Sequence, residues 1–277
     1  MPELPEVELV ARALDRLVRG RVVAAAKLLR PGLAPDTTPR EFARSLRGAT
    51  FEKVGRRGKH IIAELDNGRV LVTHLRMTGR FLLLPGRGAL PKHTHALFRL
   101  DGGGRLAFTD QRHFGLMKVV PAELLAESRE LRGLAPEPFS EEFTPRYLAG
   151  VLARTRRTLK DVLLDQTKVT GLGNIYAAEV LFLARLDPFA PADALARPAV
   201  ARLHRAILEV LGEAIAHGST MNVDPENIDG SYFGGGYQGR WRVYDREGQP
   251  CQSCAAPVTR VSRAGRSTYF CPRCQAH

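Results

Sequence analysis

The four cysteines restrict the fold of this chain more than any other feature. They form the pattern C-x2-C-x16-C-x2-C near the C-terminus and are Cys251, Cys254, Cys271 and Cys274. This spacing is typical of a tetrahedral zinc site with four thiolate ligands, whereas disulfides would be out of place in a reducing cytosol. The segment 258–270 has the pattern of a β-hairpin with Ala264 and Gly265 at its tip. We therefore expect one structural zinc ion, with every ligand position filled and none left for catalysis.

The excess of basic residues indicates a polyanionic partner. The 277 residues include 41 lysines and arginines against 29 aspartates and glutamates, which gives a net charge of +12. Such a balance favours nucleic acid. Four arginines crowd the cysteine module: Arg260, Arg263, Arg266 and Arg273. Phosphate contact is one interpretation of them, and a solvated surface charge is an equally good one for any single member.

The start of the chain and its hydropathy indicate a soluble, cytoplasmic protein. The first six residues are acidic and interrupted by two prolines, which is the opposite of a secretion signal with a basic start and an apolar centre. Nor does any stretch of the sequence approach the roughly 18 uninterrupted apolar residues that a membrane helix needs.

Hydrophobic periodicity predicts a β-rich N-terminal domain that begins with one amphipathic helix. Apolar residues recur at helical spacing over 6–18, and Gly20 can end that helix. Strands are predicted over 21–29, 50–65, 70–74, 80–84 and 95–109. Turn signals, such as those at 66–68 and 101–104, separate them. This pattern predicts a β-sandwich or a barrel.

The second half of the chain is predicted to be mostly helical. Prolines among charged residues give 123–145 the composition of a linker, and helices are predicted over 147–154, 159–166, 175–186 and between Pro198 and Gly218. The Gly- and Asn/Asp-rich stretch 221–240 is predicted to be a mobile loop. We therefore expect a two-domain α+β chain. Its predicted parts are an N-terminal β-sandwich over 1–128, a linker over 129–144, a helical domain over 145–240 and a zinc finger over 241–277.

Pro2 is a candidate nucleophile, because removal of Met1 would leave a secondary amine at the start of the chain. An α-amino group titrates near about 8 and a lysine near about 10.4, so far more of the former is neutral at cellular pH. Its attack on a sugar C1′ would give a charged iminium that promotes elimination of the phosphates. The adjacent Glu3 could protonate the sugar ring oxygen as a base leaves. On spacing alone, however, the prolines and acids are better explained as the start of the first helix.

Three separated motifs resemble those of one protein family. They are MPELPEVE over 1–8, GLGNIYA over 171–177 and the four-cysteine module. In this order, and essentially from end to end, the chain resembles the formamidopyrimidine-DNA glycosylases, also called 8-oxoguanine DNA glycosylases. The resemblance implies a bacterial base-excision repair enzyme, located at the nucleoid, with a helix-two-turn-helix domain and a zinc finger. It implies excision of flipped-out oxidised purines, namely 8-oxoguanine and formamidopyrimidines, followed by strand cleavage through β,δ-elimination.

The resemblance assigns the chemistry mainly to the first residues. It implies that Pro2 is the Schiff-base nucleophile, Glu3 the catalytic acid and Glu6 a support of the site. Lys59, in the basic segment 56–60, is implied to be the proton donor or phosphate contact that assists strand cleavage. Without that context, a lysine in a basic hairpin is usually just solvated.

The resemblance also implies a set of contacts with damaged duplex DNA, which a monomer would clamp between its two domains. Met77, Arg112 and Phe114 would fill the gap left by the flipped base, since unstacking costs a few kcal/mol. Arg112 would hydrogen-bond the orphaned base and Phe114 would wedge the adjacent step, although Met77 and Phe114 could otherwise be core residues. Further DNA contacts are implied for His93, Lys160, Asn174 and Arg266.

Two segments depart from the family pattern and leave other functions open. The residues 111–113 read Gln-Arg-His where Pro-Arg-Arg is more common, which affects reading of the opposite base. The segment 221–237 does not match the loop that caps 8-oxoguanine, and its residues 222–227 look more like endonuclease VIII, which prefers oxidised pyrimidines. We favour the purine branch because of the N-terminal motif and the gap-filling residues. The alternatives from other classes are a non-catalytic zinc-dependent DNA-binding protein and an RNA-binding zinc protein.

Overall fold

A computed structural model describes residues 1–220, 236–263 and 265–276. The described helices are α1 (Leu4–Val18), α2 (Pro39–Leu46), α3 (Pro145–Leu152), α4 (Leu159–Leu164), α5 (Asn174–Leu183) and α6 (Arg197–Ala216). The described strands are β1 (Val23–Leu28), β2 (Phe51–Arg57), β3 (His60–Leu65), β4 (Arg69–His74), β5 (Gly79–Leu84), β6 (Thr94–Leu100), β7 (Arg105–Asp110), β8 (Leu116–Pro121), β9 (Thr259–Arg263) and β10 (Arg266–Phe270). Over these residues, none of the helices combines the length and apolar character needed to cross a membrane.

The N-terminal part of the chain is a β-sandwich. One antiparallel sheet has the strand order β1-β6-β7-β5 and the other has the order β2-β3-β4-β8. The apolar face of α1, which includes Val7 and Leu14, shares one buried cluster with Phe98 and Phe108 from the first sheet and Ile61 from the second. Alternating side chains of both sheets thus meet in a single core, as expected for sheets packed face to face. The predicted sandwich and its N-terminal helix are confirmed.

Two predicted strands are each a pair of strands, and two elements were not predicted. The segments 50–65 and 95–109 fold back on themselves, the first at Gly58, where φ is +57°. Strand β8 and the helix α2 have no counterpart in the sequence prediction. Helix α2 nevertheless carries a clear start signal, because Pro39 occupies its first turn and the Thr38 hydroxyl accepts a hydrogen bond from the Glu41 N–H.

The remaining helices and the β9–β10 hairpin belong to the C-terminal part of the chain. A buried carboxylate joins α5 to the segment before the hairpin, because Glu179 accepts hydrogen bonds from the backbone N–H groups of Arg242, Val243 and Tyr244 at 2.8, 3.0 and 2.9 Å. Burial raises the pKa of Glu179, and these three donors together with the Arg242 guanidinium favour its charged form. The segment that leads into the zinc finger is therefore fixed to the middle of α5.

The chain divides into two compact units, 1–132 with 218–220, and 133–217 with 236–276. The predicted boundaries placed 218–220 with the helices. In the structure this stretch belongs to the N-terminal unit, where Thr220 hydrogen-bonds the side chain of Glu6. The predicted mobile loop over 221–240 lies outside the described residues except for 236–240.

Candidate active site and nucleic-acid interface

The start of α1 forms the first part of the candidate site, and Glu6 holds it together. One oxygen of Glu6, Oε2, accepts a hydrogen bond from the backbone N–H of Glu3 at 2.8 Å. The other, Oε1, accepts from the N–H and the hydroxyl of Thr220 at 3.2 and 2.8 Å. Glu3 and Glu6 are only 2% and 1% exposed, and Pro2 is buried beside them. Glu6 therefore fixes the backbone next to Pro2, which fits the supporting position expected of it.

Lys59 lies in the turn between β2 and β3, and it is 5% exposed. The hairpin is tied to α1 by an ion pair between Arg56 Nε and Glu8 Oε2 at 2.6 Å. A second tie comes from Asp15, whose Oδ1 accepts a hydrogen bond from the Val54 N–H at 2.7 Å. The alternative interpretation of Lys59 as a solvated surface charge is therefore wrong, because almost none of the side chain contacts water. Burial of an ammonium group costs free energy unless neighbouring protein groups replace its hydration.

Two histidines near Lys59 were missed by the sequence analysis. His60 at the start of β3 pairs across the sheet with His74 at the end of β4, and their rings meet edge to face at 4.6 Å. Burial lowers the pKa of His60 to about 4, and it also lowers the pKa of His74, with the charges of His60, Arg76 and Lys59 acting in the same direction. Both rings are therefore neutral at neutral pH. Only the strand register brings them together, so no local motif could have indicated the pair.

The predicted gap-filling residues lie on two turns that Thr78 joins. The Thr78 hydroxyl donates to Asp110 Oδ1 and accepts from the Arg112 N–H at 3.0 Å, so the turn after Met77 is bonded to the turn that carries Arg112. Phe114 is 56% exposed, and the Arg112 guanidinium lies 5.1 Å from the centre of its ring. Met77 is half-buried. The alternative interpretation of Phe114 as a core residue is therefore wrong, and an exposed aromatic ring is available for stacking.

His93 stands at the entrance of β6 and is exposed, with a left-handed backbone at φ +61°. Its carbonyl accepts a hydrogen bond from the Asp110 N–H at 3.0 Å. His93 therefore lies beside the turn that carries Arg112 and Phe114, within the same unit.

In the C-terminal unit, two predicted DNA-contact residues converge on one carbonyl of the finger hairpin. Lys160 Nζ donates to the Ser267 carbonyl at 2.7 Å and to the Thr268 hydroxyl at 2.8 Å, and Asn174 Nδ2 donates to the same Ser267 carbonyl at 3.0 Å. Lys160 is 5% exposed, whereas the neighbouring Arg266 is exposed. Lys160 and Asn174 thus hold β10 against α4 and the start of α5, which is a structural role that the sequence did not reveal.

Lys160 and Arg266 line a cleft of about 360 Å³ in which three cationic side chains outnumber one carboxylate; its lining also includes Arg263, Asp161, Thr268 and Phe189. The cleft presents two exposed guanidinium groups beside a buried ammonium group. Such an arrangement suits a phosphate, because guanidinium groups bind phosphate oxygens in a fork geometry.

The turn before α5 is held by Gln166, which the sequence analysis also missed. Its Nε2 donates to the carbonyls of Leu164 and Leu172, both at 2.9 Å, while its Oε1 accepts from the Gly171 N–H at 3.0 Å. Gly171 has φ +92°, a conformation that favours glycine. The GLGN motif is therefore a rigid turn at the N-terminus of a ten-residue helix, where backbone N–H groups favour an anion.

The four cysteines form one cluster, in which all the Sγ atoms lie within 4.8 Å of one another. Cys251 Sγ is 3.9 Å from Cys274 Sγ, and Cys254 Sγ is 3.5 Å from Cys271 Sγ. A zinc ion about 2.3 Å from each of four sulfurs would place them about 3.8 Å apart, so this cage fits a tetrahedral zinc ion. The predicted structural zinc site is confirmed by this geometry.

Comparison with known families covers most of the chain. The family model for the formamidopyrimidine-DNA glycosylase N-terminal domain matches residues 1–117, and that for the formamidopyrimidine-DNA glycosylase H2TH domain matches 134–224. The model for a zinc finger found in FPG and IleRS matches 248–276. A sandwich, a helix-two-turn-helix domain and a four-cysteine finger define a class of DNA repair glycosylases.

Individual relatives support the same assignment. A formamidopyrimidine-DNA glycosylase of Desulforamulus reducens is 41% identical over 276 residues, and one of Bacillus licheniformis is 42% identical over 277 residues, each alignment covering 99% of both chains. A crystal structure of a mutant of Lactococcus lactis FPG with DNA containing Fapy-dG superposes with a TM-score of 0.92 at 32% identity, and the match covers all of both chains. The chain belongs to the formamidopyrimidine-DNA glycosylase family, and the expected DNA repair enzyme and its fold are confirmed.

Proposed function

We propose that this chain excises oxidised purines from duplex DNA through a Schiff base on Pro2 and then cleaves the strand by β,δ-elimination. The observation that carries the proposal is the Glu6 carboxylate, which fixes the backbone of Glu3 and of Thr220 beside Pro2. A nucleophile needs such a fixed frame, because misplacement by an ångström costs much of the rate. The burial of Glu3 next to Pro2 supports its proposed role as the acid that gives a proton to the sugar.

The reaction begins after removal of Met1, which is 46% exposed and therefore open to an aminopeptidase. The nitrogen lone pair of Pro2 forms a bond with C1′ while the bond from C1′ to the base breaks, and the base leaves with the electron pair. The Pro2 nitrogen, now a cation, loses its own proton to water, and the lone pair it regains forms a double bond with C1′ while the bond from C1′ to O4′ breaks. Glu3 gives a proton to O4′ as the sugar opens, which leaves an iminium between Pro2 and C1′. Loss of a C2′ proton then expels the 3′ phosphate, and loss of a C4′ proton expels the 5′ phosphate. Lys59 acts as the proton donor or phosphate contact in this stage.

The gap-filling turns complete the reaction site. Phe114 is exposed and wedges the step beside the flipped nucleotide, while Arg112 bonds the orphaned base and Met77 fills the vacated space. His93 contacts the DNA beside this turn. The filling of the gap recovers part of the unstacking cost.

The DNA backbone is held by Arg266, with Asn174 and Lys160 arranging the finger strand beside the GLGN turn. We assign the catalytic domain to 1–128 together with 218–220, the linker to 129–144, the helical DNA-binding domain to 145–217 and the finger to 241–277. A monomer clamping damaged duplex DNA at the bacterial nucleoid accounts for the net charge of +12.

The lesion class is tested by incision assays on duplexes that carry 8-oxoguanine, a formamidopyrimidine or thymine glycol. We expect the two purine lesions to be incised at least tenfold faster than thymine glycol. The second candidate is an oxidised-pyrimidine glycosylase. It is favoured by a structure of Lactococcus lactis FPG with DNA containing an oxidised pyrimidine, at a TM-score of 0.91 and 32% identity. Faster incision of thymine glycol would establish the second candidate in place of the first.

The separate roles of Glu3 and Pro2 are tested by Glu3→Gln. We expect excision of 8-oxoguanine to fall by roughly 10²- to 10⁴-fold, the usual contribution of a general acid or base. Cleavage of a preformed abasic site should persist, because an abasic sugar opens to its aldehyde without Glu3 and can then condense with the Pro2 amine. The matched control is Glu52→Gln, which alters an exposed carboxylate on β2. Equal loss of both activities would contradict the assignment of Glu3 as the acid that protonates the ring oxygen during excision.

A further inference from the structure

A pair of histidines anchors the turn that carries Arg112 and Phe114. His113 Nδ1 lies 3.0 Å from Nε2 of His95, and the two rings are stacked with centres 4.9 Å apart and planes inclined by 17°. His95 belongs to β6 and is 4% exposed, and its own carbonyl accepts the N–H groups of Leu29 and Arg30. His95 is therefore held rigidly in the sheet and can anchor the side chain of His113.

The other end is the middle of the turn, where the backbone needs support. His113 lies between Arg112 and Phe114 and has φ +62°, a left-handed conformation that few side chains adopt without cost. The base of the turn is held by Asp110, which accepts the N–H groups of Gly115 at 2.7 Å and Arg112 at 3.2 Å. The contact with His95 adds a tie at the crest of the turn, at the residue between the two that would enter the DNA.

This contact is not a metal site by the geometry of its nitrogens. His93 completes a group of three rings, with its centre 5.7 Å from that of His113. Among the described residues, however, the four cysteines are the only group of three or more His, Cys, Asp or Glu side chains placed to hold a metal ion. A hydrogen bond between the two imidazoles therefore accounts for the 3.0 Å separation.

We propose that His113 is a positioning residue, which holds Arg112 and Phe114 ready for insertion through its hydrogen bond with His95 and releases them when both rings are protonated. The proposal rests on the gap-filling role proposed above for Arg112 and Phe114. It gives a function to a residue that departs from the more common Pro-Arg-Arg pattern.

The protonation states of the two imidazoles decide whether the hydrogen bond between His113 and His95 can form. A neutral imidazole offers one donor and one acceptor, so the bond survives when both rings are neutral or when one of them is a cation, and it breaks when both rings are cations. The groups that face His95 are His113, His93 and Arg30, which disfavour a charge on it, and Asp110, which favours one. Burial first, and His113 second, lower the pKa of His95. The turn should therefore be fixed at neutral pH and released in acid.

The test measures insertion rather than catalysis. The full-length protein is bound to a duplex that carries a tetrahydrofuran abasic analogue with 2-aminopurine at the adjacent step, and fluorescence and affinity are recorded from pH 5 to pH 8. For the natural protein we expect affinity to fall by roughly three- to tenfold more than for His113→Asn as the pH drops, which is the usual range for one hydrogen bond. Asparagine tolerates the left-handed backbone, places an amide where Nδ1 was, and does not titrate.

Three further variants keep the test decisive. His95→Gln places an amide nitrogen near the position of Nε2 and should also flatten the pH profile, whereas His95→Phe should lower insertion at every pH. Circular dichroism confirms folding of both, because His95 is buried. His217→Asn changes an exposed histidine of the other unit and should follow the natural profile.

Identical pH profiles for the natural protein and His113→Asn would overturn the proposal. The analogue carries no base to excise, so this result is independent of the lesion assays. A protein that incises none of the lesions, but shows the predicted difference in profile, would refute the proposed reaction and support the role of His113.

Discussion

Replacement of Glu6 by glutamine tests how strongly one buried carboxylate holds the candidate site. Its two oxygens face N–H donors on opposite sides, Glu3 at 2.8 Å and Thr220 at 3.2 Å. An amide has a single oxygen, so whichever way it turns, one N–H meets another donor. A hydrogen bond to a charged group contributes about 1.5–3 kcal/mol. Because Glu6 is 1% exposed, water cannot replace the lost bond, and we expect Glu6→Gln to lower the free energy of unfolding by about 2 kcal/mol.

Urea unfolding followed by circular dichroism at pH 7 measures this change. The chain supplies a matched control in Glu41, which occupies the same position of α2 and accepts the Thr38 N–H at 3.0 Å, but in an exposed capping box. Glu41→Gln should be clearly less destabilising than Glu6→Gln, since solvent can pair the freed donors. Lesion excision should fall in the Glu6 variant alone. Equal destabilisation by the two substitutions would refute the reasoning from burial.

Four other expectations concern acid, metal, salt and the finger. Burial lowers the pKa of His60 to about 4, whereas the unfolded chain takes up a proton there near pH 6.5. The free energy of unfolding should therefore decrease as the pH drops from about 6.5 to about 4. His60→Phe should remove up to about 3 kcal/mol of that loss, measured by urea unfolding at each pH. Parallel plots of unfolding free energy against pH for the natural protein and His60→Phe would contradict this expectation. Removal of zinc by a chelator should abolish DNA binding, whereas unchanged binding after verified metal loss would exclude the finger from the interface. Affinity should fall steeply with salt, and a flat dependence would contradict phosphate clamping. Lys160→Met should leave the Ser267 carbonyl with one donor fewer and speed loss of zinc, and an unchanged rate would contradict the structural role of Lys160.

The parts of the fold that depend on local patterns could be predicted from the sequence. Helix α1 follows from the periodicity of its apolar residues, and the zinc site follows from the spacing of four cysteines within one short segment. The segment 50–65 was predicted as one strand, because only Gly58 and Lys59 separate β2 from β3. Helix α2 was missed because eight residues give a weak periodic signal, although Thr38 and Glu41 formed a readable start.

The parts of the candidate site that depend on distant residues could not be predicted in this way. Thr220 is more than two hundred positions from Glu6, yet it supplies two of the donors to that carboxylate. Lys160 and Asn174 were predicted as DNA contacts from the family resemblance, and their shared bond to Ser267 became visible only once the finger was placed against the helices. The pairing of His95 with His113 likewise depends on how β6 lies beside a turn. Such contacts are set by packing, and local sequence carries no signal for them.

Both proposed steps, base excision and strand cleavage, depend on the nitrogen of Pro2 as the nucleophile. Borohydride reduction of the protein with duplex DNA that contains 8-oxoguanine, followed by proteolysis and mass spectrometry of the cross-linked peptide, tests this directly. We predict a covalent adduct on a peptide that begins at Pro2 and lacks Met1. An adduct on Lys59 or another lysine, or full activity from protein that retains Met1, would contradict the role of Pro2 as the nucleophile.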